Sequence, residues 1–231
     1  TDIWNIGRGT ATRLARHGVY DLCGVTRLDE SSLYKEFGVN AKYLIDHAWG
    51  RESCTIKDIQ SFTPKSKSLS NSQILFEDYN YENTLIVLKE MVDNLTLSLI
   101  DKELTTEGIS LSIGYSKDVV PATGGTRRLG YRTDSYRTLV GAFVNLFEET
   151  TYRDKPIRKV SICFSDVDSK FYGIDNIFED YEASEEEYSL QKAVVGVKKK
   201  FGKNAVMKGF SYLDKATGLM RNKLIGGHNG E

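Results

Sequence analysis

Thr126-Arg127-Arg128-Leu129-Gly130-Tyr131-Arg132 reads as one strand of a small sheet. Its side chains alternate. Leu129 and Tyr131 point one way; Arg128, Gly130 and Arg132 point the other. The first pair suits packing on helices. The second set offers two guanidiniums either side of a glycine, where another backbone can come close. Guanidinium forks match phosphate geometry, so this strand is expected to lie along a nucleic-acid backbone.

Around it, residues 69–168 read as strand, helix, strand, strand, helix, strand. The first strand covers 69–76. A helix over 81–102 sets Leu85, Leu88, Val92, Leu95 and Leu99 at i+3/i+4 spacing, one apolar stripe facing the sheet. In 108–117, Ile109, Leu111, Ile113 and Tyr115 alternate with Ser110, Ser112, Gly114 and Ser116. A loop over 121–125 leads into the arginine strand. Ser135 caps a second helix over 136–152, and the last strand, 157–166, turns Val160, Ile162 and Phe164 inward. Its other face carries Ser161, Cys163 and Ser165, with Arg158 near its start. The polar face is thus lined by small residues. That suits a surface against a phosphate chain, to which backbone amides and short hydroxyls donate. An ordinary solvated face that is rich in serine is the other reading.

Residues 1–50 read as short helices over 10–17, 20–23, 31–37 and 40–49, with Gly18, Gly38 and Gly50 as stops. Before the first, Gly7 permits a positive φ and Asn5 tolerates one. The N–H groups of Ile6, Gly7, Arg8, Gly9 and Thr10 can then point outward beside a helix N-terminus, as an anion site. The same residues also suit a plain helix–helix turn. Residues 51–68 form a tether, basic at Lys65 and Lys67 and ending at Ser68, that either touches DNA or is merely solvated. In the tail, 169–231, an acidic stretch over 173–184 is expected to be loosely ordered. A helix over 186–201 follows, ending in Lys198-Lys199-Lys200 on a solvated face.

A 40% hydrophobic fraction in 231 residues suffices for one or two cores, and the net charge of −1 excludes a uniformly basic surface. No apolar run approaches the ~18 residues of a membrane span. Cys23, Cys54 and Cys163 are too widely spaced for a metal or disulfide framework, and His17, His47 and His228 have no ligand spacing. Asp166 and Asp168 sit at a strand end with no third carboxylate near in sequence. No catalytic set can be assembled.

Ile3-Trp4-Asn5-Ile6-Gly7-Arg8-Gly9-Thr10-Ala11-Thr12-Arg13-Leu14 resembles the helix-hairpin-helix in the thumb of Y-family translesion DNA polymerases. Asn5 stands where that family often has glycine. Leu33-Tyr34-Lys35-Glu36-Phe37-Gly38 and His47-Ala48-Trp49-Gly50 resemble other thumb helices of the bacterial UmuC/DinB-like branch, and Pro64-Lys65-Ser66-Lys67-Ser68 its basic link. The order of elements in 69–168 resembles the little-finger domain. The resemblance implies an α+β fragment of a longer protein: a helical unit, a four-stranded sheet with two helices on one face in βαββαβ order, and a partly helical tail. It implies primer-template DNA as partner, held by Asn5–Thr10, Lys65, Lys67, Ser68, Ser112, Ser116, Arg127, Arg128, Arg132, Arg158 and Ser161. Catalysis and its magnesium would belong to a palm domain before Thr1, leaving no cofactor here. Ile177-Phe178 stands where relatives carry a peptide for the sliding clamp, with Ile174-Asp175 in place of Gln-Leu. A cytoplasmic monomer is expected. The alternative is a protein-interaction module that docks on the clamp or another replication partner.

Overall fold

The computed structural model describes residues 3, 6–62, 67–117, 119–170 and 181–224. The chain divides into two compact units, Thr1–Pro64 and Lys65–Glu231.

In the first unit α1 (Arg8–Ala15), α2 (Leu22–Thr26), α3 (Glu30–Phe37) and α4 (Ala41–Ala48) enclose a small core. Leu14, Val19, Val25, Leu33, Leu44 and Ile45 are buried in it. Helix α2 starts later than expected because Asp21 is its N-cap, accepting the Gly24 N–H at 2.6 Å. Asp29 does the same for α3 through the Ser32 N–H at 3.1 Å. The tether is not wholly irregular. It holds α5 (Ile56–Ser61), nucleated by a capping box in which Thr55 and Asp58 each accept the other's backbone N–H. No residue of α5 is buried, so no core-facing stripe announced it.

The second unit runs β1 (Leu69–Tyr79), α6 (Tyr81–Asp101), β2 (Leu104–Tyr115), β3 (Thr123–Thr133), α7 (Tyr136–Thr150), β4 (Ile157–Ser165) and β5 (Asp168–Ser169), then α8 (Tyr181–Phe201) and α9 (Gly218–Arg221). The α+β class and the βαββαβ order are as expected. Four strands pair antiparallel in the order β1-β4-β2-β3. The two-residue β5, which the sequence did not suggest, pairs with the start of β2. Helices α6 and α7 cover one sheet face through Leu88, Val92, Leu99, Leu139, Phe143 and Phe147, which meet Ile109, Ile113, Ile162 and Phe164. Asn80 and Ser135 cap the two helices by accepting the N–H groups of Asn83 and Thr138.

The C-terminal segment belongs to this unit. Helix α8 packs on α6. Its Glu187 accepts the Ser135 hydroxyl at 2.7 Å and the Arg137 N–H at 3.0 Å, at the positive end of α7. Residues 181–184, expected to be loosely ordered, begin α8; the rest of that stretch lies outside the described residues. Glu90 of α6, 3% exposed, accepts the N–H groups of Thr217 at 2.8 Å and Gly218 at 3.0 Å. A Cβ on Gly218 would lie 2.5 Å from a Glu90 oxygen, so glycine is what lets the carboxylate in.

Candidate nucleic-acid interface

The register of the four strands aligns small residues across the sheet. Ser70 of β1 stands beside Cys163 of β4, which is beside Ser110 of β2 and then Thr126 of β3. The next row is Ser72, Ser161, Ser112 and Gly124. Residues opposite one another share a face, and this face is the one away from α6 and α7, since Ile109, Leu111 and Ile113 between the serines are buried. Hydroxyls tie neighbouring strands: Ser72 Oγ lies 2.7 Å from Ser161 Oγ, and Ser110 Oγ lies 2.9 Å from Thr126 Oγ1.

Two glycines keep the face low for steric reasons. A Cβ on Gly108 would lie 2.2 Å from Ser165 Oγ. Gly124 has φ 121° and a Cβ there would lie 2.1 Å from the Leu111 carbonyl oxygen. No L side chain fits that position without moving backbone.

Cations border the small-residue rows. Arg128 lies opposite Gly108, next to Ser165, with its side chain 73% exposed and 3.4 Å from Glu107. Lys159 lies at the other end, opposite Gly114 and Ile74. It is exposed, and among the described residues no acid pairs with it. Lys67 reaches Asp168 at 3.3 Å. The Ser169 N–H, and then Lys67, hold the Asp168 carboxyl below the usual carboxylate range. Ser68 is exposed at the start of β1, and burial pushes the Cys163 thiol up.

Several candidates sit elsewhere. Arg127 is opposite Ile109, a core residue, so its side chain lies on the helix side and pairs with Glu149 of α7. Regular alternation through Gly130 also fails. Residues 129–132 stand against Glu107 alone, because Gly108 pairs with Arg128 and Thr106 with Thr133. Gly130 serves this bulge through its φ of 84°, with nothing within 4 Å of a Cβ position, rather than a close backbone approach. Arg132 is thereby redirected and donates to the Asp166 carbonyl at 2.8 Å. Arg158 lies where β4 slips register against β1 and β2, and its guanidinium is 3.7 Å from Asp78. Ser116 lies past the end of β2 with its hydroxyl buried and without a partner among the described residues.

In the first unit Gly7 is the N-cap of α1, but in an extended conformation, φ −77° and ψ 176°, not a left-handed one. Its role is what it lacks. It has no side chain to cap the helix, and nothing lies within 4 Å of a Cβ position at Gly7 or Gly9. The first helical bond is from the Ala11 N–H to the Gly7 carbonyl at 3.0 Å, so the N–H groups of Arg8, Gly9 and Thr10 precede the ladder. Ile6 packs against the helical core, and its N–H donates to the Ile3 carbonyl at 3.0 Å. Asn5, Lys65, Ile177 and Phe178 lie outside the described residues.

Reading the sequence missed Ser70, Ser72 and Lys159. The serines were legible: they share a parity in 69–74, opposite to buried Gln73 and Leu75. Lys159 was not, because the irregularity beside Arg158 decides which of the two cations stays in register with Gly114.

Among the described residues no helix is long and apolar enough to cross a membrane, and no three His, Cys, Asp or Glu side chains are grouped to hold a metal ion.

Residues 66–175 match the impB/mucB/samB family C-terminal domain. The chain is 28% identical over 235 residues to the "Putative UV-damage repair protein UvrX" of Bacillus subtilis (strain 168), covering 98% of this chain and 54% of that one. It is 24% identical over 211 residues to "DNA polymerase IV 1" of Halalkalibacterium halodurans, covering 90% and 50%. The chain thus spans about half the length of the curated relatives it matches. A solved Y-family DNA polymerase chimera superimposes with a TM-score of 0.47 at 17% identity, over 72% of this chain and 46% of the other.

Proposed function

We propose that this chain, whose residues 66–175 match the impB/mucB/samB family C-terminal domain, is the C-terminal part of a bacterial Y-family protein and grips the primer-template backbone for a translesion DNA polymerase. The observation that carries this reading is the pair of small-residue rows crossing all four strands, bordered by Arg128 and Lys159.

A phosphate chain needs donors it can reach and no bulk in its way. The rows of serine, threonine and glycine supply short hydroxyls and leave out bulk; the two cations neutralise charge at the ends. Such a surface distinguishes no base, which suits templates whose bases are damaged. In the first unit the unladdered N–H groups of Arg8, Gly9 and Thr10 are a second backbone-reading site. The magnesium and the phosphoryl transfer that the family implies belong, in this proposal, to a palm domain. A cytoplasmic, monomeric state is part of the same proposal. Docking on a sliding clamp through Ile177 and Phe178 rests on sequence alone.

The test is fluorescence anisotropy with a labelled primer-template duplex over a salt series. Neutralising about five phosphates gives a log–log slope of roughly −4 to −5. A flat salt dependence would overturn the proposal.

A further inference from the structure

On the helix side of β1 the second unit holds a cleft of about 500 Å³ among β1, α6, α8 and α9. The DNA-facing surface does not use it. Asn71 and Gln73 line the cleft, while their neighbours Ser70 and Ser72 point to the opposite face.

Its floor is apolar, made by Met91, Leu97 and Val195. Its acids are already engaged. Glu90 accepts from the Thr217 and Gly218 N–H groups, and Asp101 is ion-paired with Lys199. Lys198 is turned inward, donating to the Lys203 carbonyl at 3.1 Å. What remains is donors without acceptors. The side chains of half-buried Arg221, exposed Lys203 and Asn94 have no hydrogen-bond or acid partner among the described residues. Burial opposes the charge on Arg221 and on Lys198. A guanidinium drawn partly out of water without a counter-charge is unfavourable until an anion arrives, and its fork matches phosphate oxygens. The volume falls within the ~300–1,000 Å³ typical of small-molecule pockets and is too small for a duplex.

We propose that this cleft binds a small phosphate-bearing ligand of nucleotide class. Arg221 and Lys203 take the phosphates, Asn94 donates beside them, and the less polar part lies over Met91, Leu97 and Val195. Because the cleft and the serine face lie on opposite sides of β1, ligand and DNA can be held at once.

Calorimetric titration of the full chain with a deoxynucleoside triphosphate, and separately with inorganic pyrophosphate, tests this. One-site binding is expected, tighter for the triphosphate, weakened about tenfold or more by Arg221→Gln, equal to ~1.4 kcal/mol. Lys203→Gln should weaken it about threefold, and Lys159→Ala on the outer face should leave it unchanged. Should Arg221→Gln fail to fold, the exposed Lys203 carries the test. Equal affinity for the two ligands overturns the role given to the apolar floor. No binding, or binding lost in Lys159→Ala but kept in both cleft variants, overturns the site. DNA affinity is read by the outer-face variant, so failure here is separable from failure of the DNA grip.

Discussion

The two faces of the four-stranded sheet are built from alternate residues of the same strands, yet they obey opposite rules. On the helix side, Ile109, Ile113, Ile162 and Phe164 are large and at most 1% exposed. Their worth is volume and fit. On the other side, Ser112, Ser161 and Gly124 are small, and their worth is the bulk they leave out. The helix side therefore sets stability, and the serine side sets what can approach. A change on one should hardly register on the other.

The largest expected effect breaks the helix side. Phe143→Ala empties the contact between α7 and the sheet and should cost about 3–5 kcal/mol, read as a fall in melting temperature. Folded molecules that remain should bind DNA as before. Gly124→Ala joins the two faces, because its Cβ would strike the Leu111 carbonyl at a positive φ. It should cost about 1–3 kcal/mol and misalign β3, so both stability and DNA affinity fall. If Gly124→Ala leaves melting unchanged, the steric reason given for that glycine is wrong.

The double variant Arg128→Ala/Lys159→Ala sharpens the contrast from the other side. Melting should shift by no more than ~0.5 kcal/mol equivalent. The salt slope of DNA binding should become shallower by about 1.8, the counterions of two phosphates. Unchanged DNA affinity would mean that this face serves another partner. Smallest is the response to acid. Asp168 titrates lower in the fold than in the unfolded chain, held first by the Ser169 N–H and then by Lys67. Its contribution is present above the unfolded carboxylate pKa and is lost as pH falls through the folded one. Asp168→Asn should therefore lower the melting temperature slightly at neutral pH, and the gap should close below about pH 4, where the parent has lost the same contribution.

What was legible followed from periodicity. The stripe Leu85–Leu99 and the alternation from Ile109 to Tyr115 fixed a helix and a central strand to within a few residues. What escaped was set by contacts between residues distant in sequence. Gly130 looked like a place of close approach, and its positive φ emerges only from the pairing of Gly108 with Arg128 and of Thr106 with Thr133. Arg127 looked like a phosphate ligand, although alternation with Arg128 alone already set it on the other face, where it pairs with Glu149. Helix α5 was missed for the converse reason: its capping box is wholly local, and no buried stripe marked it. The donor-rich cleft combines β1 with residues near 221, a combination no local pattern displays.

Glu90 and Gly218 are 128 positions apart, and Gln73 meets Thr217 across 144. A chain emerging from the ribosome makes α6 long before it makes the residues that satisfy it. Until Thr217 and Gly218 appear, the Glu90 carboxylate lacks the N–H groups that receive it in the folded unit. The second unit can therefore collapse early but closes late, after nearly all of its residues have left the exit tunnel. Chains terminated just before Thr217 should carry a loosened edge along β1 and α6, open to proteases that the finished molecule resists.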